Sequence, residues 1–268
     1  MQRADHPNTM KDKCALITGS TSGLGAAAAA RLAAAGCNIV LNGLGEPDAI
    51  EAQRRELERA YAVRVLYHGA DLSKPAQIAE LMRAAVSTFG TVDILINNAV
   101  VRHFAPAHEF PVEAWDHSIA VNISAPFHTI RLALPGMLSR EWGRIVNLSS
   151  IYGLIGAPNR VDYVTSKTAL IGMTRAVALE TAGRGITCNA ICPGSALTPS
   201  IDERVQALMS AEALTREAAA ERYLAGKQPS GRFVAAENVA ALIVFLCGEA
   251  GRDITGAALP IDGGWSAS

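Results

Sequence analysis

The sequence predicts an α/β fold, a doubly wound parallel sheet of about seven strands with helices on both faces, and three features carry that prediction. Short apolar runs of strand length alternate with longer stretches of helical period, as a chain of β-α units requires. A glycine-rich turn, Thr18-Gly-Ser-Thr-Ser-Gly-Leu-Gly25, follows the first run and opens the first helical stretch. Glycine and proline punctuate the ends of the helical stretches.

Strands are expected over residues 14–18, 38–42, 63–67, 93–97, 144–148, 186–191 and 259–261, whose apolar content suits strands covered on both faces. Gly36 follows the alanine-rich stretch 26–35 where a terminal glycine is expected, and Pro47, Pro75 and Pro111 stand at or just before three helix starts. Strands joined through helices in this way form right-handed crossovers. Residues 197–230 break the rhythm, being polar, helical in composition and long for a connection after the sixth strand. They read as a helical lid or as a solvated excursion. The 268 residues form one expected domain, with residues 1–12 as a polar N-terminal extension.

Composition narrows the function. The net charge is -1 and the charges are scattered, which leaves no basic face for nucleic acid or an acidic membrane. No run approaches the roughly 18 apolar residues of a membrane helix, and residues 1–12 lack the apolar core of a signal peptide, so a cytoplasmic location is expected. The dispersed cysteines, Cys14, Cys37, Cys188, Cys192 and Cys247, read as small buried hydrophobes. The histidines, His6, His68, His103, His108, His117 and His128, form no ligand cluster with them, so no metal is expected and a zinc alcohol dehydrogenase is disfavoured. Small-molecule chemistry is the class that remains.

Tyr163 and Lys167 stand four residues apart in a helical stretch, on one face, with Ser150 a short loop upstream. A phenol with a pKa near ~10 is a poor base at neutral pH, but an adjacent cation stabilises its anion, so the pair suits proton exchange with an alcohol. In the glycine turn, Gly19, Gly23 and Gly25 let the backbone approach a pyrophosphate at a helix N-terminus, with Thr21, Ser22 and Leu24 between them. The end of the second run, Asn42-Gly-Leu-Gly, carries no arginine or lysine to pair with a 2'-phosphate, so NAD is favoured over NADP. The usual ribose-binding acid is missing there too, and Asn42 or a backbone contact would substitute, with Glu46 and Asp48 lying later. Asp71, followed by Leu72, reads either as an acceptor for an adenine amino group or as a solvated loop aspartate, and Asn98 and Ala99 stand at the carboxyl edge of the fourth strand.

These motifs, with Asn97-Asn-Ala99, Asn122 and Pro193-Gly194, occur in order across nearly the whole chain and resemble the short-chain dehydrogenase/reductase family, whose fold is Rossmann-type. The resemblance implies that Tyr163 is the acid/base, that Lys167 lowers its pKa and binds the nicotinamide ribose, and that Ser150 holds the substrate oxygen. Asn122 would anchor a water leading from Lys167 to solvent, Pro193, Gly194 and Thr198 would border the nicotinamide carboxamide, and the assembly would be a homotetramer packed through the helices of Asn122 and Lys167. Pro126 lies four residues after Asn122 and cannot donate to its carbonyl, which would leave that carbonyl free for water. One departure is visible: the fourth-strand motif usually ends in glycine, and here Val100 follows Ala99, either narrowing the space near the nicotinamide ribose or shifting the loop.

Within the family the chain is most similar to bacterial D-3-hydroxybutyrate dehydrogenases, through segments such as His68-Gly-Ala-Asp-Leu-Ser-Lys, Gly226-Lys-Gln-Pro-Ser and Ile261-Asp-Gly-Gly-Trp. Where that subgroup binds its substrate carboxylate with two glutamines, a histidine and a lysine, this chain carries Arg102, Tyr152, Arg160 and Arg204. Arginine keeps its charge and offers a planar fork suited to carboxylate, sulfonate or phosphate. The expected substrate is therefore a hydroxy acid, larger or more highly charged than 3-hydroxybutyrate, held by these residues with Ser150 and Tyr163. The alternatives are reduction of a neutral ketone, sugar or steroid, with the arginines as surface residues, or a non-catalytic NAD-binding sensor.

Overall fold

The computed structural model describes residues 10–268; the N-terminal extension as far as residue 9, His6 included, lies outside the described residues. The strands are β1 (Cys14–Ile17), β2 (Asn38–Leu41), β3 (Val65–Tyr67), β4 (Ile94–Asn97), β5 (Gly143–Leu148), β6 (Ile186–Pro193) and β7 (Ala258–Ile261). They form one parallel sheet in the order β3-β2-β1-β4-β5-β6-β7. The helices are α1 (Gly23–Ala34), α2 (Pro47–Tyr61), α3 (Pro75–Phe89), α4 (Val112–Ile119), α5 (Ala125–Arg140), α6 (Val161–Glu180), α7 (Pro199–Glu212), α8 (Arg216–Leu224) and α9 (Ala236–Cys247). Among the described residues, no helix is long and apolar enough to cross a membrane.

The sheet is covered on both faces because each strand presents apolar side chains both ways. On one face Ala28, Ala29, Leu32 and Ala33 of α1 pack with Val239, Ile243 and Leu246 of α9 against Ile17, Ile39 and Ile96. On the other, Ile78 and Leu81 of α3, Ile130 and Met137 of α5 and Val177 of α6 pack against Leu16, Leu95 and Ile145. Each such Leu or Ile taken out of water contributes about 1.5–3 kcal/mol. All five cysteines are buried and free.

Most boundaries fall where the sequence puts them. α2 and α3 begin at Pro47 and Pro75, and Pro111 immediately precedes α4. β3 starts at Val65, two residues later than expected, because Ala62 takes a left-handed conformation to end α2 and the Arg64 amide donates to the Asn38 side chain. β6 runs on to Pro193, whose register partner is Ile261. The 197–230 stretch folds as two helices, α7 and α8, over the carboxyl end of β6. One feature was not expected: α4 and α5 are joined by a π-helical turn, Ala120–Ser124, in which the Ala125 amide donates to the Ala120 carbonyl. Pro126 has no amide to close an ordinary turn on Asn122, and the helix widens just before it.

Candidate active site

In a parallel sheet all carboxyl ends lie at one edge, and a crevice opens where the strand order reverses, here between β1 and β4. The glycine turn after β1 borders that crevice. Gly19 and Gly23 take φ of +63° and +56°, which side-chain-bearing residues rarely adopt. A Cβ on Gly25 would press into the Gly19 carbonyl oxygen and the Asn98 side chain, so this glycine seats α1 against the turn. Asn98 braces the turn from β4, donating to the carbonyls of Thr18 (2.9 Å) and Gly19 (2.8 Å). The result is a cleft of about 570 Å³ lined by Gly19, Thr21, Ser22, Gly23, Leu24, Asn42, Asp71, Leu72, Asn98, Ala99 and Thr198.

At the inner end of the cleft a smaller cavity is lined by Asn98, Ser150, Tyr163, Lys167, Pro193, Gly194 and Thr198. Tyr163 and Lys167 lie one turn apart on α6, both buried, with the ammonium 5.6 Å from the centre of the phenol ring. The Lys167 ammonium donates to the Leu148 carbonyl at 2.6 Å, and the Ser149 hydroxyl donates to the Lys167 carbonyl at 2.7 Å, so the end of β5 fixes this turn of α6. Ser150 follows β5 and accepts the Tyr152 amide at 3.2 Å. Asn122 sits in the π turn, and its side chain both accepts the Val101 amide and donates to the Val101 carbonyl, each at 2.9 Å.

Burial raises the Tyr163 pKa, yet the cations of Arg102 and Lys167 and a hydrogen bond with Ser150 outweigh it, and the phenol lies below its ordinary value. Lys167 is lowered as well, by burial first and by Arg102 in addition, while Tyr163 acts the other way. The guanidinium carbon of Arg102 is 5.1 Å from the centre of the Tyr163 ring. Arg102 therefore acts on the phenol itself, a role its position in the sequence did not announce.

A third cavity, of about 70 Å³, adjoins Ser150 and Tyr163 and is lined by Arg102, Tyr152, Arg160 and Arg204 together. Arg160 and Arg204 both lie against Phe104, at 4.3 and 4.4 Å from its ring centre. Lys227, Tyr223 and Trp265 complete the lining. Trp265 meets Tyr152 edge to face at 5.4 Å, and Tyr152 meets Tyr163 in the same way at 6.2 Å.

The sequence pattern of the short chain dehydrogenases matches residues 13–208. The chain belongs to the short chain dehydrogenase family. It is 47% identical to the D-beta-hydroxybutyrate dehydrogenase of Cupriavidus necator over 96% of this chain and 99% of that protein. Identity to the Rhizobium meliloti protein of the same name is 44% over 95% of this chain and 99% of that one. Among solved structures it is similar to L-sorbose reductase from Gluconobacter frateurii, complexed with NADPH and L-sorbose, with a TM-score of 0.92 at 30% identity, covering 96% and 98% of the two chains.

The structure brings Ser150, Tyr163 and Lys167 together at the inner cavity and Arg102, Tyr152, Arg160 and Arg204 around the adjoining one, whereas Asn122 lines neither and holds the backbone of Val101. Asn42 is fully buried and its amide donates to the carbonyls of His68 (3.0 Å) and Ala70 (3.1 Å), so it fixes the loop after β3 while lining the cleft. Gly25 does not line the cleft and is packed closely against the Gly19 carbonyl and the Asn98 side chain. Val100 lines both the cleft and the inner cavity beside Leu24. Glu46 and Asp48 do not line the cleft, whose rim beyond Asn42 is formed by Gly43 and Leu44. Phe104, Tyr223, Lys227 and Trp265 were missed as site residues, although Lys227 and Trp265 lie in the segments that carried the closest resemblance.

Proposed function

We propose that the protein is an NAD-dependent dehydrogenase of small anionic hydroxy acids, acting on a secondary alcohol through Asn122, Ser150, Tyr163 and Lys167. The observation that carries the reading is the position of Tyr163, where the inner cavity and the cation-lined cavity meet at one end of the long cleft. The residues fit a nicotinamide dinucleotide: the turn at Gly19 leaves no room for a Cβ, and the Thr198 hydroxyl beside Gly194 is buried without a partner among the described residues. Gly19 to Leu24 would hold the pyrophosphate, Asp71 and Leu72 the adenine, and Lys167 the nicotinamide ribose. When bound, the cofactor supplies a hydride acceptor for alcohol oxidation and a hydride donor for ketone reduction.

The chain's own groups manage the proton. Ser150 donates a hydrogen bond to the substrate oxygen, and Tyr163, as phenolate, takes the hydroxyl proton. Lys167 and Arg102 hold the charge on the phenolate, and Asn122 keeps the loop from Val101 to Arg102 against the site. Burial of Tyr163 and Lys167 excludes bulk water and strengthens these interactions. The arginines support an anionic substrate over a neutral ketone, sugar or steroid. The neutral rim at Gly43 and Leu44, with no basic residue to meet a 2'-phosphate, supports NAD over NADP. By the family resemblance the protein is a homotetramer.

Reduction of NAD in the presence of D-3-hydroxybutyrate and related hydroxy acids, followed by absorbance, tests the reading. The expected outcome is turnover with NAD at least about tenfold better than with NADP, since a lost charge-assisted contact is worth about 1.5–3 kcal/mol. Tyr163→Phe is expected to lose turnover while binding NAD normally by calorimetry. An active Tyr163→Phe variant refutes the acid/base assignment, and NAD binding without turnover of any hydroxy acid favours a sensor.

A further inference from the structure

We propose that the substrate carries two anionic groups, and that Arg160, Arg204 and Lys227 form a second anion subsite for the group remote from the reacting carbon. The proposal rests on the hydroxy-acid reading above and adds the charge and shape of the acid.

Three cations converge on one cavity from three separate elements: Arg160 from the turn before α6, Arg204 from α7 and Lys227 from the segment after α8. Among the described residues none of the three has a carboxylate within ion-pair distance; nearby Asp202 is taken by Arg216, and Glu203 lines the long cleft instead. Among the described residues, no acidic one lines the cavity. Like charges gathered in a half-buried space repel one another and lose solvation unless an anion joins them. Burial lowers the pKa of Lys227, and the charges of Arg160 and Arg204 lower it further. Arg160 is lowered by burial too, with Arg204 a stronger opposing charge than Arg102.

Arg102 and Arg160 lie 5.1 and 6.0 Å from the centre of the Tyr163 ring, beside the reacting position, while Arg204 and Lys227 reach the same cavity from the α7–α8 segment. The cavity thus gathers more cations than one carboxylate next to the reacting carbon would meet. Arg160, Arg204 and Lys227 are held by rings and not by acids: Phe104 lies against both guanidinium groups, and the Lys227 ammonium is 3.8 Å from the centre of the Tyr223 ring. Ring contacts orient a guanidinium while leaving its N–H groups free for an incoming anion. The cations share one cavity with Ser150 and Tyr163, so a second anionic group a few bonds from the reacting carbon would reach them, which points to a hydroxydicarboxylate.

The test has a binding arm and a turnover arm. Calorimetry on the NAD-bound enzyme compares glutarate with its monomethyl ester, and NAD reduction compares 3-hydroxyglutarate with its monomethyl ester. The dianion is expected to be favoured about tenfold or more in both arms, the range of one charge-assisted hydrogen bond. Arg204→Ala and Lys227→Ala should each reduce that preference about tenfold, and Arg204→Lys should restore much of it. Equal affinity for the two glutarates in the wild-type protein overturns the subsite. Equal turnover of both hydroxyglutarates does so as well, and leaves the hydroxy-acid reading standing. Preferential glutarate binding without turnover of any hydroxy acid upholds the subsite and refutes the dehydrogenase reading.

Discussion

Replacing Arg102 by alanine removes one of the two cations that hold the Tyr163 phenolate, and the consequence is readable as a pH shift. With 5.1 Å between the guanidinium carbon and the ring centre and an effective dielectric constant of about 20, the Coulomb attraction is about 3 kcal/mol. Arg102 is exposed to solvent, which screens the interaction to about 1–1.5 kcal/mol, or about one pKa unit. The direction follows from the balance at Tyr163: burial raises its pKa, and Arg102, Lys167 and Ser150 together bring it below the ordinary phenol value. Without Arg102 the pKa rises. In the proposed mechanism alcohol oxidation uses the phenolate, so the acid limb of kcat/KM against pH is expected to move about one unit to the alkaline side, with about a tenfold loss on the rising part of the curve. Initial rates of NAD reduction between pH 6 and 10 provide the assay, with Arg102→Lys expected to lie between the two. A limb that keeps its midpoint in Arg102→Ala refutes the idea that this arginine tunes the phenol, whatever happens to KM.

Three further outcomes are expected. Gly25→Ala should cost about 1–3 kcal/mol through overpacking against the Gly19 carbonyl and weaken NAD binding; calorimetry and a thermal melt read both, and an unchanged melting temperature contradicts the packing argument. Asp162, fully buried, accepts the Ser118 hydroxyl at 2.7 Å and the His103 amide at 3.2 Å, tying the loop of Arg102 and Phe104 to the start of α6. Asp162→Asn is expected to cost about 1–3 kcal/mol in denaturant unfolding and to raise KM for anionic substrates, and full stability would show that the tie is dispensable. Light scattering should give a homotetramer, burying exposed Phe127 of α5 and Leu179 of α6, and a monomer removes that inference.

The seven strands, the glycine turn and the Tyr163–Lys167 pair were legible because each is a local pattern. A buried strand must be apolar over its few residues, a tight turn needs glycine, and four residues bring two side chains onto one helical face. The structural part of Asn42 was not legible, because a strand-end asparagine looks the same whether or not its amide also holds the carbonyls of His68 and Ala70. The π turn at Ala120–Ser124 was half visible, since Pro126 announced a missing hydrogen bond but not how the helix would adapt to it.

By itself, then, the sequence determined the parallel sheet, the order of its elements along the chain and the pairing of Tyr163 with Lys167 on one helical face, all of which depend on neighbours within a few positions. Only the tertiary structure decided that Arg102 reaches Tyr163 while Arg160, Arg204 and Lys227 gather around Phe104 and Tyr223. Those contacts join the loop after β4, the start of α6 and the α7–α8 segment, and the direction in which separate loops fold over a sheet edge is set by packing that no local pattern records.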